Sequence, residues 1–128
     1  MQVVYTTDAP GPAGHYSQAI VHDGLMYVSG QLPIKAQTGE KVSGPIEDQT
    51  VQALENLSAI LKAAGSDIAK TLKVTVYISD IDLWDRVNKV YARFFGDHKP
   101  ARSIVPTRDL HFGFNIEIDA IAAVSGGA

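Results

Sequence analysis

Apolar residues recur along this chain in two rhythms, one of two residues and one of three to four. The two-residue rhythm places successive side chains on opposite faces of a sheet, and it predicts strands at residues 2–6, 16–22, 25–31, 72–78 and 116–124. Asp23-Gly24 separates the second and third of these strands with a dipeptide that favours a hairpin turn. The short extended run between Pro100 and Pro106 is a sixth strand candidate.

The strand at residues 116–124 carries charges in unusual places. One of its faces is apolar and consists of Ile116, Ile118, Ala120, Ala122 and Val124. The other face begins with Glu117 and Asp119 and continues with Ile121 and Ala123. If this strand is covered on both sides, Glu117 points toward a partly apolar surface.

The slower rhythm predicts two amphipathic helices. The first spans residues 45–64, with Pro45 suited to its first turn and Gly65 just past its end. The second spans residues 82–95 and ends at Gly96. The predicted apolar stripes are Val51, Leu54, Leu57, Ile60, Leu61 and Ala64 on the first helix, and Leu83, Val87, Val90, Tyr91 and Phe94 on the second.

Two helices and about six strands predict an α+β fold, with both helices packed on one face of a mixed sheet. The order strands, helix, strand, helix, strands suggests a doubled βαβ unit. The opposite face of the sheet then receives no cover from this chain. A homo-oligomer is the simplest source of cover for the apolar residues on that face.

Composition limits the possible functions. With 128 residues, 45% of them hydrophobic, we expect one domain spanning residues 1–128. The chain has no cysteine, which excludes disulfides, thiol nucleophiles and thiolate metal sites. The formal charge of -3 argues against a dedicated nucleic-acid surface. No segment suggests a signal peptide or a membrane span, so we expect a soluble cytoplasmic protein.

Arg102 and Glu117 are the first candidates for chemistry. On neighbouring strands they would meet in a pocket, where the forked guanidinium could hold a small carboxylate through two parallel hydrogen bonds. The alternative is a cross-strand ion pair on a solvated face, which would contribute little.

Other polar residues have simpler interpretations. The four histidines, His15, His22, His98 and His111, lack metal-site spacing, and we expect no metal. Ser29 lies at a strand end without a nucleophile motif, which favours a hydrogen-bonding role. Asn88 lies at the edge of the second helix's apolar stripe, as either a core-edge amide or a site residue.

A set of motifs along nearly the whole chain resembles the RidA (YjgF/YER057c/UK114) family. The motifs are Tyr16-Ser-Gln-Ala, Val28-Ser-Gly-Gln-Leu-Pro33, Thr38-Gly39, Gln49 through Asn56-Leu57 to Ala64-Gly65, Val87-Asn-Lys-Val-Tyr91 with Phe94-Phe95, Pro100-Ala-Arg-Ser103 and Ile116-Glu-Ile-Asp-Ala-Ile-Ala122. They occur in the family's order without large gaps.

The resemblance implies a chorismate-mutase-like fold and a homotrimer with clefts between subunits. It implies that Arg102 grips the carboxylate of a 2-imino or 2-enamino acid and that Glu117 positions the attacking water. The residues that would line the same cleft are Tyr16, Ser29, Gly30 and Asn88, with the backbone of Ile104 as a further contact. The products would be a 2-keto acid and ammonia, formed without cofactor or metal.

The chain departs from the family pattern at three positions. His15 follows Gly14 where many members have proline, and His111 follows Leu110 where many have proline. Ile104 occupies a position that is often cysteine. These changes affect the expected substrate more than the expected reaction.

Two other functions remain open at this point. One is a non-catalytic trimer that binds a small carboxylate ligand or has a regulatory role. The other, an endoribonuclease or translation inhibitor, must explain RNA binding by an acidic chain.

Overall fold

A mixed sheet of six strands forms the centre of the computed structural model, which describes residues 1–124. The strands and helices, in chain order, are β1 (Gln2–Val4), β2 (Ala19–His22), β3 (Leu25–Gln31), α1 (Ile46–Ala63), β4 (Thr71–Ile78), α2 (Trp84–Phe95), β5 (Ala101–Pro106) and β6 (Ile116–Ala123). Both helices pack on one face of the sheet, so the predicted α+β fold is confirmed. The segment Ser125-Gly-Gly-Ala128, which the sequence suggests is a frayed end, lies outside the described residues.

The strands are ordered β1-β2-β3-β6-β4-β5 across the sheet. Strands β4 and β5 are parallel neighbours joined through α2, which makes a βαβ unit. Strands β3 and β4 are joined through α1, but β6 lies between them and is antiparallel to both. The doubled βαβ arrangement is therefore split by the last strand.

Local turn chemistry agrees with the predictions. Asp23 and Gly24 both have positive φ, 51° and 77°, and they connect β2 to β3 in a two-residue turn. Gly65 and Gly96 also have positive φ, and each lies just after a helix.

The helix faces differ from the prediction in detail. Val51 was expected in the apolar stripe of α1 but is 40% exposed. The buried face of that helix includes the predicted Leu54 and Leu57, together with Ala53, and leaves Val51 at its edge. On α2, Phe95 is buried and Phe94 only partly buried. The second helix also begins later than residue 82, after a 3₁₀ turn at Ile81–Leu83.

Strand β4 contains a bulge that the alternation does not predict. Leu72 was assigned to the apolar face but is 47% exposed, whereas Thr71 is fully buried. The register shifts here by one residue, because Thr71 pairs with Ala122 and Lys73 with Ile121.

The second strand is shorter than predicted, since residues 16–18 belong to the preceding loop. Buried Gln18 explains this. Its side-chain amide accepts a hydrogen bond from the Thr6 backbone N–H (2.7 Å) and donates to the carbonyl oxygens of Thr6 (3.0 Å) and Pro10 (2.9 Å). Gln18 therefore satisfies loop backbone groups that would otherwise lack partners.

The sheet face opposite the helices carries no cover from residues 1–124. The partly buried or exposed residues of this open face include Val3, Ile20, Tyr27, Tyr77, Val105 and Ile121. Within residues 1–124, neither helix combines the length and hydropathy needed to span a bilayer.

Candidate functional site

Arg102 lies on β5, at the edge of the sheet, and faces α2. Its register partner Val74 is fully buried on the helix side, which fixes the direction of the arginine. One guanidinium nitrogen, Nη1, donates a hydrogen bond to Oδ1 of Asn88 at 2.8 Å. The guanidinium carbon lies 4.7 Å from the ring centroid of Tyr91 and 5.4 Å from that of Trp84. Cation–π contacts and one amide therefore hold this cation in place.

No carboxylate of residues 1–124 forms a salt bridge with Arg102. The guanidinium borders a cavity of about 340 Å³, whose other walls include Asn88, Phe95, His98 and Lys99. A fixed cation without a counter-ion at the edge of a cavity is suited to binding an anion. Larger depressions of about 450 and 500 Å³ lie along α1, but they are more open to solvent and have no such cation held by aromatic rings.

Tyr91 is a buried wall of this cavity, with 6% of its surface exposed. Burial raises the pKa of its hydroxyl to about 12, and the nearby charge of Arg102 acts in the opposite direction. The hydroxyl has no hydrogen-bond partner among the described residues. It therefore stays neutral at physiological pH and contributes a polarisable wall rather than a charge.

Glu117 lies on β6 and points to the open face of the sheet. It pairs with Tyr77 of β4 and lies beside Gly30 of β3. A Cβ atom built on Gly30 would overlap the carboxylate of Glu117 and come within 2.9 Å of its Cδ. Only glycine leaves room for the carboxylate here.

A bulge in β3 creates this close approach. Val28 pairs with Ala120 and Gln31 with Ile118, so Ser29 and Gly30 together lie opposite Asp119. The Ser29 hydroxyl donates to the carbonyl of Ser17 at 2.6 Å, which confirms a hydrogen-bonding role. This bond ties the bulge to the loop that carries Tyr16.

The carboxylates on this face hold protons more tightly than free ones. Partial burial is the main cause that raises the pKa of Glu117, and the charge of Asp119 adds to it. The charge of His111 acts in the opposite direction. Burial also raises the pKa of Asp119, against the effects of the Tyr77 hydroxyl and Lys73. A raised pKa suits a carboxylate that exchanges protons with a substrate.

Tyr16, Gly30, His111 and Phe112 line a depression of about 60 Å³ next to Glu117. The Tyr16 hydroxyl accepts a hydrogen bond from the backbone N–H of Ala13 at 3.2 Å. Tyr16 is half-exposed, as expected for a wall that a second molecule would complete.

The structure separates the predicted site residues into two groups. The arginine group consists of Asn88, Arg102 and Ile104, and the glutamate group consists of Tyr16, Ser29, Gly30 and Glu117. Ile104 faces the helices and packs against the hydrophobic core. Its side chain therefore supports the strand that carries Arg102 and does not line an open pocket.

The expectation that Arg102 and Glu117 meet on neighbouring strands is wrong. Strand β4 lies between β5 and β6, and the two side chains point to opposite faces of the sheet. They do not form the cross-strand ion pair either. Within one chain, the arginine group and the glutamate group therefore lie on opposite faces of the sheet and do not form one site.

Several contributing residues were missed by sequence reasoning. Trp84 was not singled out and Tyr91 was assigned to the apolar stripe of the second helix, although both contact the Arg102 guanidinium. Their spacing of seven residues places them on the same face of α2 as Asn88, and this was the available signal. His111 was noted only as a departure from a family motif.

The fold and the two groups define a small α+β protein of the chorismate-mutase-like kind, with an arginine that has no carboxylate partner among the described residues and a half-buried carboxylate. The family model for endoribonuclease L-PSP matches residues 6–124. The chain belongs to this family, which is the RidA (YjgF/YER057c/UK114) family that its motifs resemble.

Individual relatives are similar over almost the whole chain. A RutC family protein of Pyrococcus horikoshii is 48% identical, over 94% of this chain and 96% of its own length. The human 2-iminobutanoate/2-iminopropanoate deaminase is 40% identical, over 94% of this chain and 88% of its own. The crystal structure of E. coli TdcF with bound serine has a TM-score of 0.93 at 37% identity, covering 98% of this chain and 100% of that one.

Proposed function

We propose that this protein hydrolyses reactive 2-imino and 2-enamino acids to 2-keto acids and ammonia. The observation that carries the proposal is the Arg102 guanidinium, held by Asn88 and two aromatic rings but without a carboxylate partner. The human relative named as an iminobutanoate and iminopropanoate deaminase supports the same reaction.

In this mechanism Arg102 binds the substrate carboxylate through two parallel hydrogen bonds. Glu117 orients a water molecule and accepts one of its protons as the oxygen bonds to the imine carbon. The imine nitrogen gains a proton and becomes an amine. The nitrogen then takes a second proton, and the hydroxyl group of the intermediate gives up its proton as the carbon–oxygen double bond forms. The carbon–nitrogen bond breaks, ammonia leaves, and a 2-keto acid remains. An imine needs only positioning and modest acid–base help for these steps.

The two groups belong to different subunits in this proposal. Since Arg102 and Glu117 point to opposite faces of one sheet, a single substrate reaches both only between two copies of the chain. The uncovered sheet face, with exposed Tyr27 and Val105, provides a surface for such contact. We propose a homotrimer with three equivalent clefts, each taking Arg102 from one copy and Glu117 from the next.

The decisive experiment mixes two inactive variants. Arg102→Ala and Glu117→Gln are each expected to be inactive alone, with imines generated by an amino-acid oxidase. When the two chains are unfolded and refolded together, about one quarter of the clefts carry both intact residues by random assembly. Recovery of about that fraction of the parent rate supports shared clefts.

Two results would contradict parts of this proposal. If the mixture stays inactive while each variant still assembles, the residues do not share a cleft between copies. If sedimentation shows a monomer of about 14 kDa at micromolar concentration, the shared cleft is excluded together with the trimer.

A ligand-binding role without catalysis is the second candidate. The relative solved with bound serine favours it, since serine carries the carboxylate that Arg102 would also hold in a non-catalytic site. Calorimetry with serine and with 2-keto acids tests it. Tight binding combined with no acceleration of imine hydrolysis would favour the binding protein. The family's endoribonuclease description is tested on the same preparation, freed of contaminating nucleases.

A further inference from the structure

His111 lies where a second proton-transfer group would be useful. It borders the depression that Gly30 and Tyr16 also line, and the Glu117 carboxylate lies directly against Gly30. The imidazole and the carboxylate therefore both lie near the same glycine.

The exposed His111 ring packs on the neighbouring ring of its loop. The ring stacks on that of Phe112 with 3.7 Å between centroids and 14° between planes. Phe112 has a positive φ of 60°, and the Lys41 ammonium lies 4.7 Å from its ring centroid. After this turn, the backbone N–H of Asn115 donates to the buried Gln49 side chain at 2.9 Å. A non-glycine residue with positive φ, followed by this anchor, indicates a loop with a defined conformation.

The other histidines are placed differently. Nε2 of His98 donates a hydrogen bond to the backbone carbonyl oxygen of Thr71 at 2.6 Å. His22 lies beside Asp23 at the hairpin. His15 does not line the depression. His111 is thus the histidine that shares a depression with the glutamate group.

The proposed reaction requires proton delivery as well as proton removal. Both protons of the water end on the nitrogen, so one group must accept protons from oxygen while another donates them to nitrogen. An imidazole suits the second task, because it is the side chain that ordinarily changes charge between about pH 5 and 8.

We propose that His111 protonates the nitrogen that leaves as ammonia, while Glu117 accepts the proton of the attacking water. This inference rests on the proposed hydrolase function. Glu117 accepts both water protons in turn, the first as the oxygen attacks and the second from the hydroxyl of the intermediate as the carbonyl forms. His111 gives the nitrogen one proton at each of these two stages and regains it from Glu117 through water in the cleft, so both protons of the water end on ammonia. The groups that face this pair are Asp119 on β6, Tyr77 on β4 and Lys41 near the Phe112 ring. Positive charge on His111 also favours the ionised form of Glu117.

The test uses two substitutions that differ in one property. His111→Gln removes both the imidazole proton and the stacking ring, whereas His111→Phe keeps a ring on Phe112 without a proton to donate. His22→Gln is the matched control, since His22 lies on the hairpin away from the depression. Rates of 2-keto acid formation are measured from pH 5 to 9 with excess oxidase, and spontaneous hydrolysis is subtracted at each pH.

Both His111 variants are expected to lose about 100-fold in kcat with little change in KM, and to lose the decline of the parent rate at high pH. In both variants, the acidic limb of the pH–rate profile should also move to higher pH. The reason is that the positive charge of His111, which lowers the pKa of Glu117, is gone. His22→Gln should match the parent. An active His111→Phe with the parent pH profile would overturn the proposal and assign His111 a packing role. A parent without imine hydrolysis overturns the proposed function as well, so the two failures are distinguishable.

Discussion

The arginine group and the glutamate group hold their charges in opposite ways. Arg102 lies on an edge strand and is held by aromatic faces and one amide, which fix its direction without neutralising it. Glu117 lies on a central strand, in a space left by a missing side chain, with a second carboxylate close by. The first environment favours binding of an external anion, and the second favours a proton on the carboxylate.

This difference assigns separate tasks to the two groups. A cation that stays charged serves recognition, because its contribution does not vary with pH near neutrality. A carboxylate with a raised pKa serves proton exchange, because its charge changes closer to neutral pH. Substitutions in the arginine group should therefore mainly alter affinity and transition-state binding, and those in the glutamate group should alter the rate and its pH dependence.

The largest expected effect comes from the arginine. Arg102→Lys keeps the charge but loses the planar fork, and we expect a loss of roughly 30-fold to several thousand-fold in kcat/KM, or about 2–5 kcal/mol. The melting temperature should change little. Arg86→Lys is the matched control, because Arg86, elsewhere on α2, forms a two-pronged ion pair with half-exposed Glu47 of α1. If Arg102→Lys keeps the kcat/KM of the parent, Arg102 does not bind the substrate carboxylate through two parallel hydrogen bonds.

An intermediate effect is expected at the glycine beside Glu117. Gly30→Ala places a Cβ against the carboxylate and should displace it, which we expect to lower kcat by roughly 100-fold. Overpacking should also reduce the free energy of unfolding by about 1–3 kcal/mol. Gly44→Ala is the control, since no atom lies within 4 Å of a Cβ built there. If both variants retain the parent rate, the position of the Glu117 carboxylate has no role in catalysis.

The smallest expected effect is a displacement of the pH profile. Asp119→Asn removes the like charge that raises the pKa of Glu117, so the acidic limb of kcat/KM should move to lower pH. The limb is measured by initial rates, with Asp85→Asn on α2 as the control. An unmoved limb would show that it does not report Glu117.

Stability should depend on pH in a matching direction. Because the folded state raises the pKa values of Glu117 and Asp119, it binds their protons more tightly than the unfolded state. Their contribution to the free energy of unfolding is therefore favourable at low pH and is lost as pH rises above about 4, the range of unperturbed carboxyls. Asp119→Asn should lose less stability than the parent across that rise, as measured by denaturant unfolding.

Periodicity predicted much of the fold because it depends on local alternation. The apolar and charged faces of β6, the hairpin at Asp23-Gly24 and the core face of α2 all follow from residue spacing. The bulge that exposes Leu72 did not follow, since one extra residue in β4 inverts the alternation without any breaker in the sequence.

The arrangement of the site required information that spacing does not contain. Which strands are neighbours depends on pairing across long separations, and the insertion of β6 between β3 and β4 moved Glu117 away from Arg102. The contact of Trp84 with Arg102 and the position of His111 near Gly30 were missed for a related reason. Helical spacing places Trp84 on the face of Asn88, but the residues that Trp84 and His111 approach come from other parts of the chain, which local spacing does not identify.

The central position of β6 also constrains how this protein is made. Strands β3 and β4 share no hydrogen bonds. Within the sheet, they are connected only by pairing with β6, which follows all of the other strands in chain order. During synthesis, β1-β2-β3 and β4-β5 cannot form one sheet until residues 116–123 have left the ribosome. Until then, the edges of β3 and β4 that pair with β6 have no partner. Long-range pairing of this kind folds slowly and exposes open edges in the meantime. A premature stop before Ile116 would remove the strand that pairs with both β3 and β4, and would leave the two parts of the sheet unconnected by hydrogen bonds.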